Sequence, residues 1–196
     1  MKKKLRNKRT QNPFSVLVIL LTIVGLGFMF LTSMYYEPSW NFNWNNIRKS
    51  IRDSITLSKQ RGITSGVGGI GISTESEVRT RIWVMKNATE HELLRLTEYP
   101  NGTIKTIAYE GLLRKKEFSK KAELTLRALK DTTYLLSYQS GCIGWERKIG
   151  DYLIQDILMI DDEMPPPPPG MNSNIKLTEL EKTQILLEYK KQKETE

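Results

Sequence analysis

The sequence predicts a mainly α protein: an N-terminal transmembrane helix, then a short domain of helical hairpins with one minor extended segment. Three observations carry this reading. Nineteen residues from Phe14 to Thr32 run without a charge, apolar positions recur at helical spacing through most of the chain beyond residue 40, and helix start and stop signals bracket those runs.

The apolar stretch comes first. As a helix it would extend roughly 28 Å, about the thickness of a bilayer's hydrocarbon core. The hydroxyls of Ser15 and Thr22 can bond back to the preceding turn, and Tyr35, Tyr36, Trp40 and Trp44 follow as interfacial aromatics. A cleavable signal peptide would carry about 7–15 apolar residues and a small-residue site. This run is longer and Leu31-Thr32-Ser33 makes a poor site, so an uncleaved anchor is the favoured reading. Lys2, Lys3, Lys4, Arg6, Lys8 and Arg9 precede the run, whereas Met34 to Asn46 carry Glu37 as their one charge. The positive-inside rule then expects a single pass through the cell (inner) membrane, with the N-terminus cytoplasmic and the C-terminal domain extracytoplasmic.

The same cations account for most of the formal net charge of +8. Setting those six aside leaves 24 of the 30 basic residues against 22 acidic ones, a balance of +2. A nucleic-acid binder gathers its cations on the folded domain, so no nucleic-acid partner is expected. Cys142 is the single cysteine, which excludes an intrachain disulfide and a multi-cysteine metal site. It is expected as a small buried residue near a turn.

Beyond the anchor, Trp40, Trp44, Ile47, Ile51 and Ile55 fall on one face of a helix expected over residues 34–60, with Arg48, Lys49, Arg52 and Lys59 elsewhere on it. Such a basic amphipathic helix either lies in the membrane interface or packs on the domain that follows. Gly62, Gly66, Gly68, Gly69 and Gly71 come next. Gly66, Gly68 and Gly71 match G-x-G-x-x-G, yet no buried strand precedes them and no βαβ unit follows, so residues 61–73 are expected as a linker with no nucleotide site.

From residue 74 to 164 the helical signals return. Val78, Ile82 and Met85 share a helical spacing, with Trp83 beside them. Thr89 and Glu92 form a capping box before Leu93, Leu94 and Leu96, and Tyr99-Pro100-Asn101-Gly102 turns the chain into a helix holding Ile104, Ile107, Ala108, Leu112 and Leu113. Ala88 to Lys115 resembles a HEAT repeat: paired leucines, a proline turn with a short polar residue, then a branched and a basic residue (Ile104, Lys105) opening a second helix with Ala108 and Leu112. Gly111 departs from that pattern where alanine is usual. The resemblance covers about 28 residues and one repeat, is shared in layout by small membrane-anchored bacterial proteins, and implies an interaction scaffold without catalytic residues.

A further helix from about Ser119 holds Ala122, Leu124, Ala128 and Leu129. Thr132 to Gln139 reads as an extended segment, Gly144-Trp145 as the start of another, and Asp151 to Met159 as helix. Pro165 to Pro169 makes residues 165–174 a stiff spacer, and residues 175–196 a terminal helix with Leu180, Gln184 and Leu187, docked weakly or fraying.

No chemistry stands out. His91 reads as a solvated histidine, and Asp161-Asp162-Glu163 lacks the alternation of a calcium loop. The sequons Asn87-Ala88-Thr89 and Asn101-Gly102-Thr103 are common by chance. The expectation is therefore no catalytic residue, no cofactor, no metal and no enzyme activity. The expected partners are the lipid bilayer and a protein bound by the helical domain. The alternative is a lipid-surface protein working through residues 40–60.

Overall fold

The computed structural model describes residues 13–59, 62–68, 75–165 and 174–195. The chain divides into two units, residues 1–41 and 42–196. In the first, α1 (Pro13–Tyr35) is a helix whose side chains from Phe14 to Ser33 are all exposed. That stretch has a mean hydropathy of 2.7 and is long and apolar enough to cross a membrane. Thr22 Oγ1 donates to the Val18 carbonyl at 2.8 Å, the back-bonding that lets a hydroxyl sit among apolar residues. A 3-10 turn, Pro38–Asn41, follows, with the Tyr36 and Trp40 rings edge to face at 6.0 Å.

The second unit is built around one buried helix. Its elements are α2 (Lys49–Lys59), β1 (Ile63–Gly68), α3 (Glu75–Asn87), α4 (Glu90–Leu96), α5 (Gly102–Arg114), α6 (Lys121–Lys130), β2 (Leu136–Gly141), β3 (Ile143–Arg147), α7 (Ile149–Tyr152) running into a π-helical turn at Leu153–Leu158, and α8 (Glu179–Glu194). Every residue of α5 from Gly102 to Leu113 is buried, and α2, α3, α4, α6, α7 and β2 all pack against it. Several of its polar groups are met internally: Lys105 pairs with Asp131, and Thr106 Oγ1 donates to the Gly102 carbonyl at 2.7 Å, whereas the buried Tyr109 hydroxyl has no hydrogen-bond partner among the described residues. The Thr89–Glu92 capping box forms as expected, and Asn101 caps α5 through the Ile104 amide at 3.1 Å. A helix surrounded on all sides is not a layer of a solenoid, and the structure gives no evidence for HEAT-like repeats.

Five expectations are corrected. The helix over 34–60 is restricted to α2, because Asn43 Oδ1 accepts the Asn45 amide at 2.9 Å and Asn46 takes a left-handed φ of 67°. Asparagine side chains compete with helical hydrogen bonds and favour such turns. Ile51 and Ile55 are core residues and Trp44 packs edge to face on Phe42 and tilted against Tyr99, so the stripe offers a bilayer no continuous apolar face. Second, part of the glycine segment is strand β1, paired in parallel with β2 (Ile63 opposite Tyr138) in a sheet ordered β1-β2-β3. Gly62 serves that pairing: its φ is +73° and a Cβ there would lie 2.5 Å from the Ser137 carbonyl oxygen. Residues 69–73 lie outside the described residues, as does most of the spacer, 166–173.

Third, the buried face of α3 is Glu77, Arg81 and Val84, continued by Ala88 just beyond its end, one position off the expected Val78–Ile82–Met85 stripe; Ile82 is 52% exposed. Fourth, α8 docks through Ile185 and Tyr189, while Leu180 and Leu187 are exposed. Fifth, Cys142 is exposed, at the tip of the β2–β3 hairpin where the side chain points away from the core.

Candidate functional site

The polar residues buried on α3 organise the centre of the domain. Arg81 is 9% exposed. Its Nη1 donates to Glu110 Oε2 at 3.1 Å and to the Tyr152 hydroxyl at 3.0 Å, and its Nη2 donates to the Thr64 carbonyl at 3.1 Å. Its Nε lies 3.2 Å from Glu77 Oε1, an ion pair too poorly aligned to be a hydrogen bond. Glu77 Oε2 accepts the Thr64 hydroxyl at 2.7 Å, Tyr152 donates to Glu110 Oε2 at 3.1 Å, and Arg114 Nε donates to Glu110 Oε1 at 2.7 Å. Two cations and two carboxylates close into a neutral set, the arrangement under which charge tolerates burial. Burial works against the Arg81 guanidinium, but Tyr152, Glu110 and Glu77 outweigh it and its pKa lies above the ordinary value. Burial, then the charge of Glu110, drives the Tyr152 phenol well above its ordinary range. The cluster thereby ties β1, α3, α5 and α7 together, with each carboxylate engaged by a guanidinium.

Beside this cluster a groove of about 510 Å³ opens between α3 and α5. Ile82, Met85 and Gly111 form its apolar lining, and Lys86, Arg114 and Lys115 its basic one. Gly111 has a job here. A Cβ at that position would lie 3.1 and 3.2 Å from the two Leu93 methyls and 3.3 Å from Met85 Cγ, so the missing side chain lets α3 and α4 close on α5. Among the described residues Lys86 and Lys115 have no ion-pair partner. Trp83, 40% exposed, stands on the same helix.

A second polar cluster joins the sheet to the π-helical turn. Arg147 donates to Asp156 Oδ2 and to Gln155 Oε1, each at 2.7 Å, and lies over the Tyr138 ring at 5.0 Å. Gln155 Nε2 in turn donates to Asp161 Oδ2 at 2.9 Å and the Tyr189 hydroxyl at 3.1 Å, which ties α8 to the domain.

The residues singled out in the sequence fall elsewhere. His91 is exposed on α4, and Asp161 is buried in the Gln155 network while Asp162 pairs with Lys190 at 2.7 Å. Among the described residues no three His, Cys, Asp or Glu side chains converge to hold a metal. Sequence reasoning missed Glu77 and Arg81 because charged residues on a helix read as its solvated face. The available signal was their spacing from Val84 and Ala88, which continues the same helical row. Comparison with protein families, with curated proteins and with solved structures found no match for this chain.

Proposed function

We propose that the chain is a membrane-tethered interaction module, held by α1 with its N-terminus in the cytoplasm and presenting the helical domain outside. The carrying observation is the α3–α5 groove, where exposed Ile82 and half-buried Met85 sit among unpaired Lys86 and Lys115. An apolar anchor point ringed by cations suits an acidic protein segment carrying a large apolar side chain. The buried ion pairs support this reading, since they give the groove walls a fixed spacing before any partner arrives. The sequence resemblance of residues 88–115 to one HEAT repeat points the same way, at the level of sequence alone.

The test is a photo-crosslinking residue at Ile82 in the full chain, in cells, beside the same residue at exposed Thr183 on α8. The expected result is a discrete crosslinked species from position 82 alone, lost on Lys86→Glu with Lys115→Glu. Equal crosslinking at both positions, or a species indifferent to the charge reversal, contradicts the groove as the binding site.

A further inference from the structure

A second cleft, of about 540 Å³, lies where the loop after α5 meets the starts of α6 and α8. Lys116, Lys121 and Lys176 line it, with Arg114, Ser119 and Glu181. Arg114 is turned to Glu110, and Glu181, the one carboxylate in the lining, is directed to the Thr178 amide at 2.7 Å and hydroxyl at 2.8 Å in its own capping box. Lys116, Lys121 and Lys176 therefore share the cleft with one carboxylate, Glu181, and among the described residues none of the three forms an ion pair with it.

Lys121 is the decisive member. The residue is 8% exposed, so its stem is buried while its ammonium group reaches the cleft, and among the described residues no hydrogen bond or ion pair engages it. It is also the first residue of a ten-residue helix whose preceding residue, Lys120, makes no side-chain cap. The positive end of a helix disfavours a cation, and burial disfavours an unpaired one. Three unfavourable terms thus meet at one side chain: burial, the helix end, and the charge of Lys176. Burial first and Lys176 second lower the Lys121 pKa, which shows the two ammonium groups within electrostatic reach. An anion in the cleft offsets all three through its attraction to both ammonium groups and to the helix start.

We propose that this cleft is a binding site for a phosphate-bearing group, gripped by Lys121 and Lys176 with Lys116 at its edge. Several point-charge ammonium groups around an uncapped helix start suit a compact, multiply charged tetrahedral oxyanion, whereas a carboxylate is the planar partner of a guanidinium fork. The volume also leaves room for the small molecule or headgroup that carries the phosphate. This site borders the α3–α5 groove through Arg114, which lines both, but uses none of that groove's lysines.

The experiment is NMR on the full chain, labelled with 15N-lysine, in nanodiscs of zwitterionic phosphatidylcholine. Inorganic phosphate is titrated against sodium chloride at matched ionic strength. The expected result is saturable shifts of the Lys121 and Lys176 amides with phosphate and none with chloride. Lys121→Met and, separately, Lys176→Met should each weaken the apparent affinity at least tenfold; Lys176 is exposed, so its variant tests the site without touching the core. A second arm replaces free phosphate with phosphatidic acid in the nanodisc: the same shifts there assign a lipid headgroup as source, and their absence assigns a soluble phosphate. Shifts that grow linearly with ionic strength, or an affinity unchanged in both variants, overturn the proposal, as does silence in both arms.

Discussion

Replacing Arg81 with methionine isolates the neutral charge cluster at the domain's centre. The side chain keeps its length and apolar stem but removes the guanidinium from two buried carboxylates, Glu77 and Glu110. Glu110 retains Arg114 and the Tyr152 hydroxyl, whereas Glu77 retains only Thr64. A buried charge that loses its partner costs about 3–5 kcal/mol. A second bound follows from titration. Glu77 can escape its charge by taking up a proton, and holding an ordinary glutamic acid protonated at pH 7 costs about 3.5 kcal/mol. The two routes agree on roughly 3 kcal/mol. They also fix a sign: the variant's folded state binds a proton that its unfolded state lacks at neutral pH, so its stability should rise as pH falls. Between pH 7 and pH 5 the recovery should be about 2–3 kcal/mol. The assay is urea denaturation of the full chain in detergent, followed by tryptophan fluorescence at both pH values, with Arg81→Met/Glu77→Gln as control. The double variant should lose most of the pH dependence. An Arg81→Met variant within about 0.5 kcal/mol of the native protein at pH 7, or one whose deficit is the same at pH 5, refutes the reasoning.

Three further outcomes can be checked in the same assay. Gly102→Ala places a Cβ 1.9 Å from the Leu135 carbonyl oxygen, a backbone clash that should cost about 2–4 kcal/mol, and a neutral result would mean that β2 does not abut α5 there. Ile107→Ala should cost about 2–4 kcal/mol from the core, while Leu94→Ala, only partly buried, should cost distinctly less; equal values would contradict the packing. Arg48, with the Thr89 cap, holds the Glu92 carboxyl down at about 2. That stabilisation is present above the ordinary glutamate range and lost as pH falls through about 2, so Glu92→Gln should flatten the acid limb below pH 4.5 by about 1–2 kcal/mol after solvent screening. An unchanged acid limb would show that the Arg48 pairing contributes nothing.

Features encoded within a few residues were legible in the sequence. The apolar run of α1, the Thr89–Glu92 capping box, the Asn101 turn and the presence of a helical segment after Asp151 all rest on local pattern, although that segment starts at Ile149 and is π-helical from Leu153 to Leu158. The strand at Ile63 was not legible because its partner Tyr138 lies on the far side of four helices, and glycine-rich sequence without that partner reads as a linker. The α3 face was misread for a related reason. Arg81 and Glu77 occupy core positions only because Glu110, Tyr152 and Thr64 arrive from three other elements to satisfy them. The lysines of the second cleft are scattered over residues 116, 121 and 176, and only the α6–α8 contact brings them together.

Whether α1 crosses a membrane decides where the domain works. The full chain, expressed without tags at its N-terminus, should be recovered from membranes washed in alkaline carbonate, and its intact mass measured. The account expects the protein in the pellet at a mass that retains Phe14 to Ser33. Recovery in the supernatant, or a mass showing cleavage near Thr32 to Tyr36, would contradict it.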